Sequence, residues 1–386
     1  MLEGLDKIDW KNIRHSHGPA TDYPKWIRDL TSEEEAVWDE ALYNIIEYSF
    51  HQMTFYEVTP YIVPFLIELL TYEQIKIKAE ISFHLMALLS VSNQILHEGA
   101  SSLAYARLSL KIYDAVEAGY PIYKTLLHHG EKGDRAQIAE LLGYMTSRGY
   151  EIAALLRERF EQESEEVVRL SLIRALGVCL AKLWDSAIEV NRQSYYAFLF
   201  EQIEKDESRE QRLEATFAIA HMMRFTTHLD SPRLAPATDL LIDEYIRIPG
   251  EVASIPLRVR RERIPRTLRK LNPMGLINLL QLPNLTPLDG HQIARELLDS
   301  AFSRTDRSNS WSRYEWKMRQ EQRIYRDNSI GYFEPGQPLS LLAKAALKAI
   351  VDCEVFWQLP TNLFSFFFGL PDSRDELRAL IENVSS

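Results

Sequence analysis

A chain of 386 residues, 46% hydrophobic and 26% charged, carries ample material for a buried core and is not a disordered polar tail. No apolar run reaches the roughly 18 residues of a membrane span, and the opening Met1-Leu2-Glu3-Gly4-Leu5-Asp6-Lys7 lacks a secretion-signal pattern, so a cytoplasmic protein with no membrane partner is expected. The net charge of −11 argues against wholesale nucleic-acid binding but hides an asymmetry: residues 257–326 hold 15 Lys and Arg against 7 Asp and Glu.

Residues 1–32 read as an amino-terminal capping segment. Gly18, Pro19 and Pro24 forbid a continuous helix there, and Pro24 opens a short one through Trp26, Ile27 and Leu30. Thr31 or Ser32 caps the next helix, whose first turn gathers Glu33, Glu34 and Glu35, where the helix dipole favours anions. It runs to about Phe50, and a helix carrying Pro64, Phe65 and Leu66 ends near Leu70.

Residues 33–248 read as HEAT-like helical repeats. Between Val167 and Leu180 the apolar positions Val168, Leu172, Ala175, Leu176, Cys179 and Leu180 keep the three- and four-residue spacing of one helix face. The phrase Arg169 with Ala175-Leu176-Gly177 returns as Arg135 with Leu141-Leu142-Gly143 and as Arg212 with Ala218-Ile219-Ala220. It returns more loosely as Lys78 with His84-Leu85-Met86 and Trp38 with Asn44-Ile45-Ile46. The intervals of 40, 57, 34 and 43 suit helix pairs, with an insertion near residues 91–105 in the longest. Gly143, Gly177 and Ala220 share one repeat position, where a small residue lets helices approach closely. Second helices are expected over Tyr105–Leu127, Tyr150–Glu163, Ser194–Lys205 and Pro236–Arg247.

Six prolines between residues 249 and 290 predict short helices only. Residues 249–338 therefore read as an irregular basic and aromatic segment, interrupted by a helix over His291–Phe302. Residues 339–386 read as a helical cap, with helices over Leu339–Cys353 and Asp372–Val384 and a buried aromatic run containing Phe364, Phe366, Phe367 and Phe368. The fold class is thus all-α: one continuous α-solenoid of stacked antiparallel helix pairs with an irregular carboxy-terminal third.

One stretch carries a resemblance. His15, His17, Gly18, Ala20, Asp22 and Pro24, followed by His51, Gln52, Thr54, Tyr56, Thr59 and then Pro64-Phe65-Leu66, resemble the amino-terminal signature of a bacterial HEAT-repeat (armadillo-like) family. The match covers roughly residues 6–70, and Met53 stands where that pattern has glycine. The resemblance implies an α-solenoid, with His15, His17, Gly18, Asp22, Pro24, His51, Gln52, Thr54 and Tyr56 as a structural signature, and it brings no catalytic residues.

Other constellations are weaker. His15, His17 and Asp22, with His51 nearby, could ligate a metal, but the spacing fits no standard zinc motif; fixed turns are the expectation, with no metal and no cofactor. His128-His129-Gly130 reads as a helix end capped by histidine. Cys179 and Cys353 read as buried free thiols. Hydrolase elbows, phosphate loops, His-Glu-x-x-His and dinucleotide fingerprints do not occur.

The basic segment is the most informative candidate. Arg258, Arg260, Arg261, Arg263, Arg266, Arg269 and Lys270 crowd thirteen residues with only Glu262 opposing. A second group includes Arg313 and Arg319 among Trp311 and Trp316. Arginine with aromatic residues suits an acidic protein partner, suits phosphate contact with base stacking, and equally suits ion pairing inside the same molecule. The expected function is a non-catalytic protein-interaction scaffold, in one form an immunity or regulatory protein. The alternative is a nucleic-acid-binding protein or enzyme resembling the HEAT-fold alkylpurine DNA glycosylases, with Trp311, Trp316 and Asp306 as its only plausible cluster.

Overall fold

The computed structural model describes residues 2–52, 54–182, 189–205, 208–222, 231–249, 254–302, 339–359, 370–371 and 373–385. The protein is all-α, with seventeen α-helices among these residues and two two-residue hairpins as its only strands. Its internal contacts divide it into two compact units, 1–222 and 223–386, whereas the sequence pattern reads as one continuous domain with a break near 248.

The first unit opens with two hairpins around the first two helices. Strands β1 (Arg14–His15) and β2 (Gly18–Pro19) pair before α1 (Tyr23–Asp29), and β3 (Phe50–His51) and β4 (Thr54–Phe55) pair after α2 (Glu35–Ser49). Then follow α3 (Thr59–Leu69), α4 (Lys78–Glu98), α5 (Leu103–Glu117), α6 (Tyr120–His129), α7 (Lys132–Leu142), α8 (Gly149–Gln162), α9 (Glu166–Lys182), α10 (Glu189–Glu204) and α11 (Arg209–Met222). Helices α4, α7, α9 and α11 pack side by side in one row, and α5, α6, α8 and α10 lie against them. This is the solenoid-like pairing that the repeated phrase predicts: Lys78, Arg135, Arg169 and Arg212 each sit in or near the first turn of a row helix. The Trp38 phrase falls outside the row, in α2, which packs on α1.

Two details differ from the sequence reading. The helix expected over Tyr105–Leu127 is two helices, α5 and α6, because Pro121 cannot continue α5 and instead occupies the first turn of α6. The long interval is filled by this extra helix, while residues 91–98 simply extend α4 up to Gly99, whose φ of 99° ends it. Secondly, α9 is buried beyond a single face. Ile173, Gly177 and Ala181 are covered as well, since α7, α8 and α11 all pack on it.

The repeat positions have clear physical reasons. A Cβ placed on Gly177 would stand 2.6 Å from the Ala218 Cβ, and one on Gly143 would stand 2.8 Å from the Ala175 carbonyl oxygen. The small residue is therefore what sets the spacing of the row. Each repeat arginine satisfies carbonyls that the preceding helix leaves open at its carboxy terminus. Arg135 donates to Gly130 O at 2.8 Å, Arg169 to Phe160 O and Glu163 O at 3.1 and 3.0 Å, and Arg212 to Ile203 O at 2.9 Å.

The second unit holds α12 (Ser231–Arg247), α13 (Ile255–Leu271), α14 (Met274–Leu280), α15 (Pro287–Ala301), α16 (Leu341–Asp352), a 3-10 turn at Glu354–Gln358 and α17 (Arg374–Ser385). Residues 255–271 are thus one seventeen-residue helix, where the prolines suggest short helices. Pro256 and Pro287 sit in the first turns of α13 and α15, and Pro273 precedes α14, positions where a missing N–H costs nothing; Pro236 and Pro265 are the prolines inside helices among the described residues of this unit. Helix α12 begins five residues before Pro236. Thr286 and Asp289 form a capping box that starts α15, and the Ser340 side chain caps α16. The aromatic run at 363–368 and residues 303–338, with Asp306, Trp311, Arg313, Trp316 and Arg319, lie outside the described residues.

Candidate interaction surface

Helix α13 carries the first basic group, and its arginines meet different fates. Arg261 is buried. It pairs with Asp289 through two hydrogen bonds of 3.1 and 3.0 Å, lies 3.9 Å over the Tyr245 ring, and donates to Tyr245 O at 2.8 Å and to Ile248 O. Tyr245 closes the group by donating to Asp289 at 2.9 Å. Burial pushes the Asp289 carboxyl up, but the bonds from Arg261, Thr286 and Tyr245 outweigh it and hold the group below the usual carboxylate range. Arg260 pairs with Glu244 at 3.1 Å. Arg269 pairs with Glu296 at 3.0 Å and Asp299 at 2.9 Å, and Arg266 approaches Glu296 at 3.6 Å. Burial raises the Glu296 carboxyl, with Asp299 adding to it against the opposing pull of Arg269.

Internal pairing therefore uses Arg260, Arg261 and Arg269, and they are not available to a partner. Arg263 is half-buried, and Arg258 and Arg266 are exposed. The geometry of Arg261 also reveals its place in the fold. Arg169 lies 3.9 Å over the Phe160 ring and bonds the carbonyls of Phe160 and, three residues on, Glu163. Arg261 does the same with Tyr245 and, three residues on, Ile248. Arg169 also reaches Gln211 near the start of α11, as Arg261 reaches Asp289 near the start of α15. Arg261 is a repeat arginine. The signal lay in the sequence: apolar residues at +3, +7 and +10 follow Arg135, Arg169, Arg212 and Arg261 alike. In the last case these are Ile264, Leu268 and Leu271, all buried.

A feature that charge counting misses is the uncovered first turn of α13. Ile255, Leu257 and Val259 are exposed at 64, 38 and 55%, three aliphatic side chains in five residues.

The signature residues gather elsewhere, at the carboxy-terminal end of α2, where they hold the two hairpins. Gly18 has a φ of +148°, a backbone that side chains rarely adopt. His15 Nδ1 accepts the His17 N–H at 3.1 Å, and its ring packs on Tyr48 at 5.2 Å; burial lowers its pKa. His17 bonds Ser16 at 2.8 Å, and His51 pairs with Glu47 at 2.6 Å. His51 faces Thr54 across the second hairpin, where Gln52 takes a φ of 47°; Tyr56 N donates to Ser49 O. Asp22 precedes α1 without a side-chain capping bond, and Pro24 sits in its first turn. Among the described residues, no three His, Cys, Asp or Glu side chains are placed to hold a metal.

Two further expectations are altered or met. The carbonyls of Leu127 and Gly130 at the end of α6 accept from Arg159 and Arg135, so arginines cap this end in place of His128 and His129. Cys179 and Cys353 are buried free thiols; burial pushes Cys179 up to about 12, and its Sγ donates to Gly149 O at 3.1 Å. No helix among the described residues is long and apolar enough to cross a membrane.

No protein-family model and no curated protein matches the chain. Among solved structures it is similar to an engineered protein at 15% identity over 95% of this chain and 99% of that one, with a TM-score of 0.35, which carries no argument about fold or function.

Proposed function

We propose that this chain is a non-catalytic interaction module of the HEAT-like kind, a bacterial cytoplasmic protein that binds and regulates a protein partner. The observation that carries this reading is the surface of α13, where exposed Arg258 and Arg266 stand beside three uncovered aliphatic side chains. Aliphatic groups bury apolar surface against another protein but offer no ring on which a base could stack, which favours protein over nucleic acid. The row of helix pairs supports the scaffold reading, since such rows present broad surfaces for macromolecules.

A pull-down of the tagged full-length chain from its native lysate, with and without nuclease, tests it. A stoichiometric protein retained after nuclease is the expected result. Nucleic acid retained in its place and released by rising salt would overturn it in favour of the glycosylase-like alternative.

A further inference from the structure

We infer that Lys182, the last residue of α9, is a modification site whose amine takes the acyl group of a small activated donor, an acyl phosphate or an acyl thioester. This inference stands apart from the partner-binding reading. Lys182 is half-buried, and Cys179, Leu180 and Ala181 just before it are fully buried. Its Nζ lies 4.2 Å over the centre of the Tyr144 ring. Tyr144 stands two residues beyond α7, and Asn93 of α4 donates to its carbonyl at 2.6 Å, which fixes that residue where α9 ends.

What sets Lys182 apart is the lack of a counter-charge. Lys25 pairs with Asp29 at 2.6 Å and Lys205 with Glu201 at 2.8 Å, whereas the ion pairs among the described residues include none for Lys182. The face of a ring attracts an ammonium less than a carboxylate does, and half-burial strips part of its water. Burial accordingly lowers the Lys182 pKa to about 8, against a smaller opposing pull from Cys179, while its bond to Asp29 raises that of Lys25. At pH 7.4 about one Lys182 amine in five is then unprotonated, against about one in a thousand for an ordinary lysine. A less basic amine is also the weaker nucleophile, as among thiols, which leaves a net advantage of about tenfold.

The step is an acyl transfer. The Nζ lone pair attacks the acyl carbon and an N–C bond forms. The C–O bond of the acyl phosphate, or the C–S bond of the thioester, breaks, its electron pair leaves with phosphate or thiolate, and the Nζ proton passes to water. The product is an uncharged amide. At Lys182 it removes a charge that no carboxylate needs, whereas at Lys25 the same reaction would leave Asp29 unpaired.

The experiment incubates the full-length protein with acetyl phosphate, and separately with acetyl-CoA, to low conversion at several pH values. Peptide mass spectrometry then gives the initial rate at each lysine. With at least one donor, Lys182 should react at least tenfold faster than Lys25 at pH 7.4. Its rate should level off above about pH 8 while that of Lys25 keeps rising. In guanidinium-unfolded protein the two rates should converge, because the advantage belongs to the fold. Whichever donor reacts identifies the source of the acyl group. Equal rates in the folded protein, with both donors, would overturn the inference. So would an advantage that survives unfolding, or a Lys182 rate that climbs without a break to pH 9.5.

Discussion

At the scale of single residues, the structure turns a basic cluster into a set of unequal arginines. Arg261 is enclosed with Asp289 and the carbonyls of Tyr245 and Ile248, so its loss leaves a buried carboxylate without its counter-charge and two carbonyls without the arginine donor. Arg261→Ala should cost about 3–5 kcal/mol in urea unfolding, whereas Arg258→Ala should change stability by less than about 0.5 kcal/mol. Similar losses for the two would contradict the division into structural and exposed arginines. Charge reversal at Arg261 consequently reports folding and not binding, which makes Arg258 and Arg266 the informative positions.

His84 on α4 offers a second test at this scale. It is buried, its Nε2 meets no hydrogen-bond partner, and burial lowers its pKa to about 4. The unfolded chain, with a histidine near 6.5, binds a proton that the folded chain refuses between those values. Stability should therefore fall as pH drops from about 6.5 to about 4, by about 3 kcal/mol in all from this group. His84→Leu should flatten that part of the profile in unfolding curves taken at several pH values; an unchanged slope would show that His84 is protonated in the folded protein.

At the scale of elements, close helix contact gives two glycines opposite signs. Glycine inside a helix ordinarily disfavours it, by about 1 kcal/mol relative to alanine. Gly133 in α7 has nothing within 4 Å of an added Cβ, so Gly133→Ala should stabilise by about 0.5–1 kcal/mol. At Gly177 the added methyl meets the Ala218 Cβ at 2.6 Å and Cα at 2.7 Å, and the row can accept it only by moving α9 from α11. Gly177→Ala should therefore destabilise by about 1–3 kcal/mol despite its better helix propensity. Thermal unfolding of both variants checks the pair, and equal signs would rule out the close approach as the reason for the small residue.

At the scale of the whole molecule, the two units differ in charge as well as in packing. Residues 1–222 carry 22 Lys and Arg against 35 Asp and Glu, and residues 223–386 carry 22 against 20, so the acidity of the chain belongs to the first unit. The repeat grammar nonetheless extends into the second, where α12, α13 and α15 reproduce with Tyr245, Arg261 and Asp289 what α8, α9 and α11 do with Phe160, Arg169 and Gln211. Prolines obscured this in the sequence, because a count of prolines does not reveal which ones stand in first turns.

Periodicity and the recurring Arg-to-apolar spacing by themselves determined the all-α class and the helices of the first unit's row. They also determined that a small residue belongs at positions 143 and 177, because these features depend on local geometry and repeat along the chain. Only the tertiary structure decided which arginines are spent inside the molecule. That outcome depends on carboxylates and carbonyls brought to α13 from residues 13 to 30 positions away, and no local pattern in the chain specifies which of them will arrive. The uncovered aliphatic turn at Ile255, Leu257 and Val259 was undecided for the same reason: apolar residues at the start of a helix are buried or exposed according to what packs beside them.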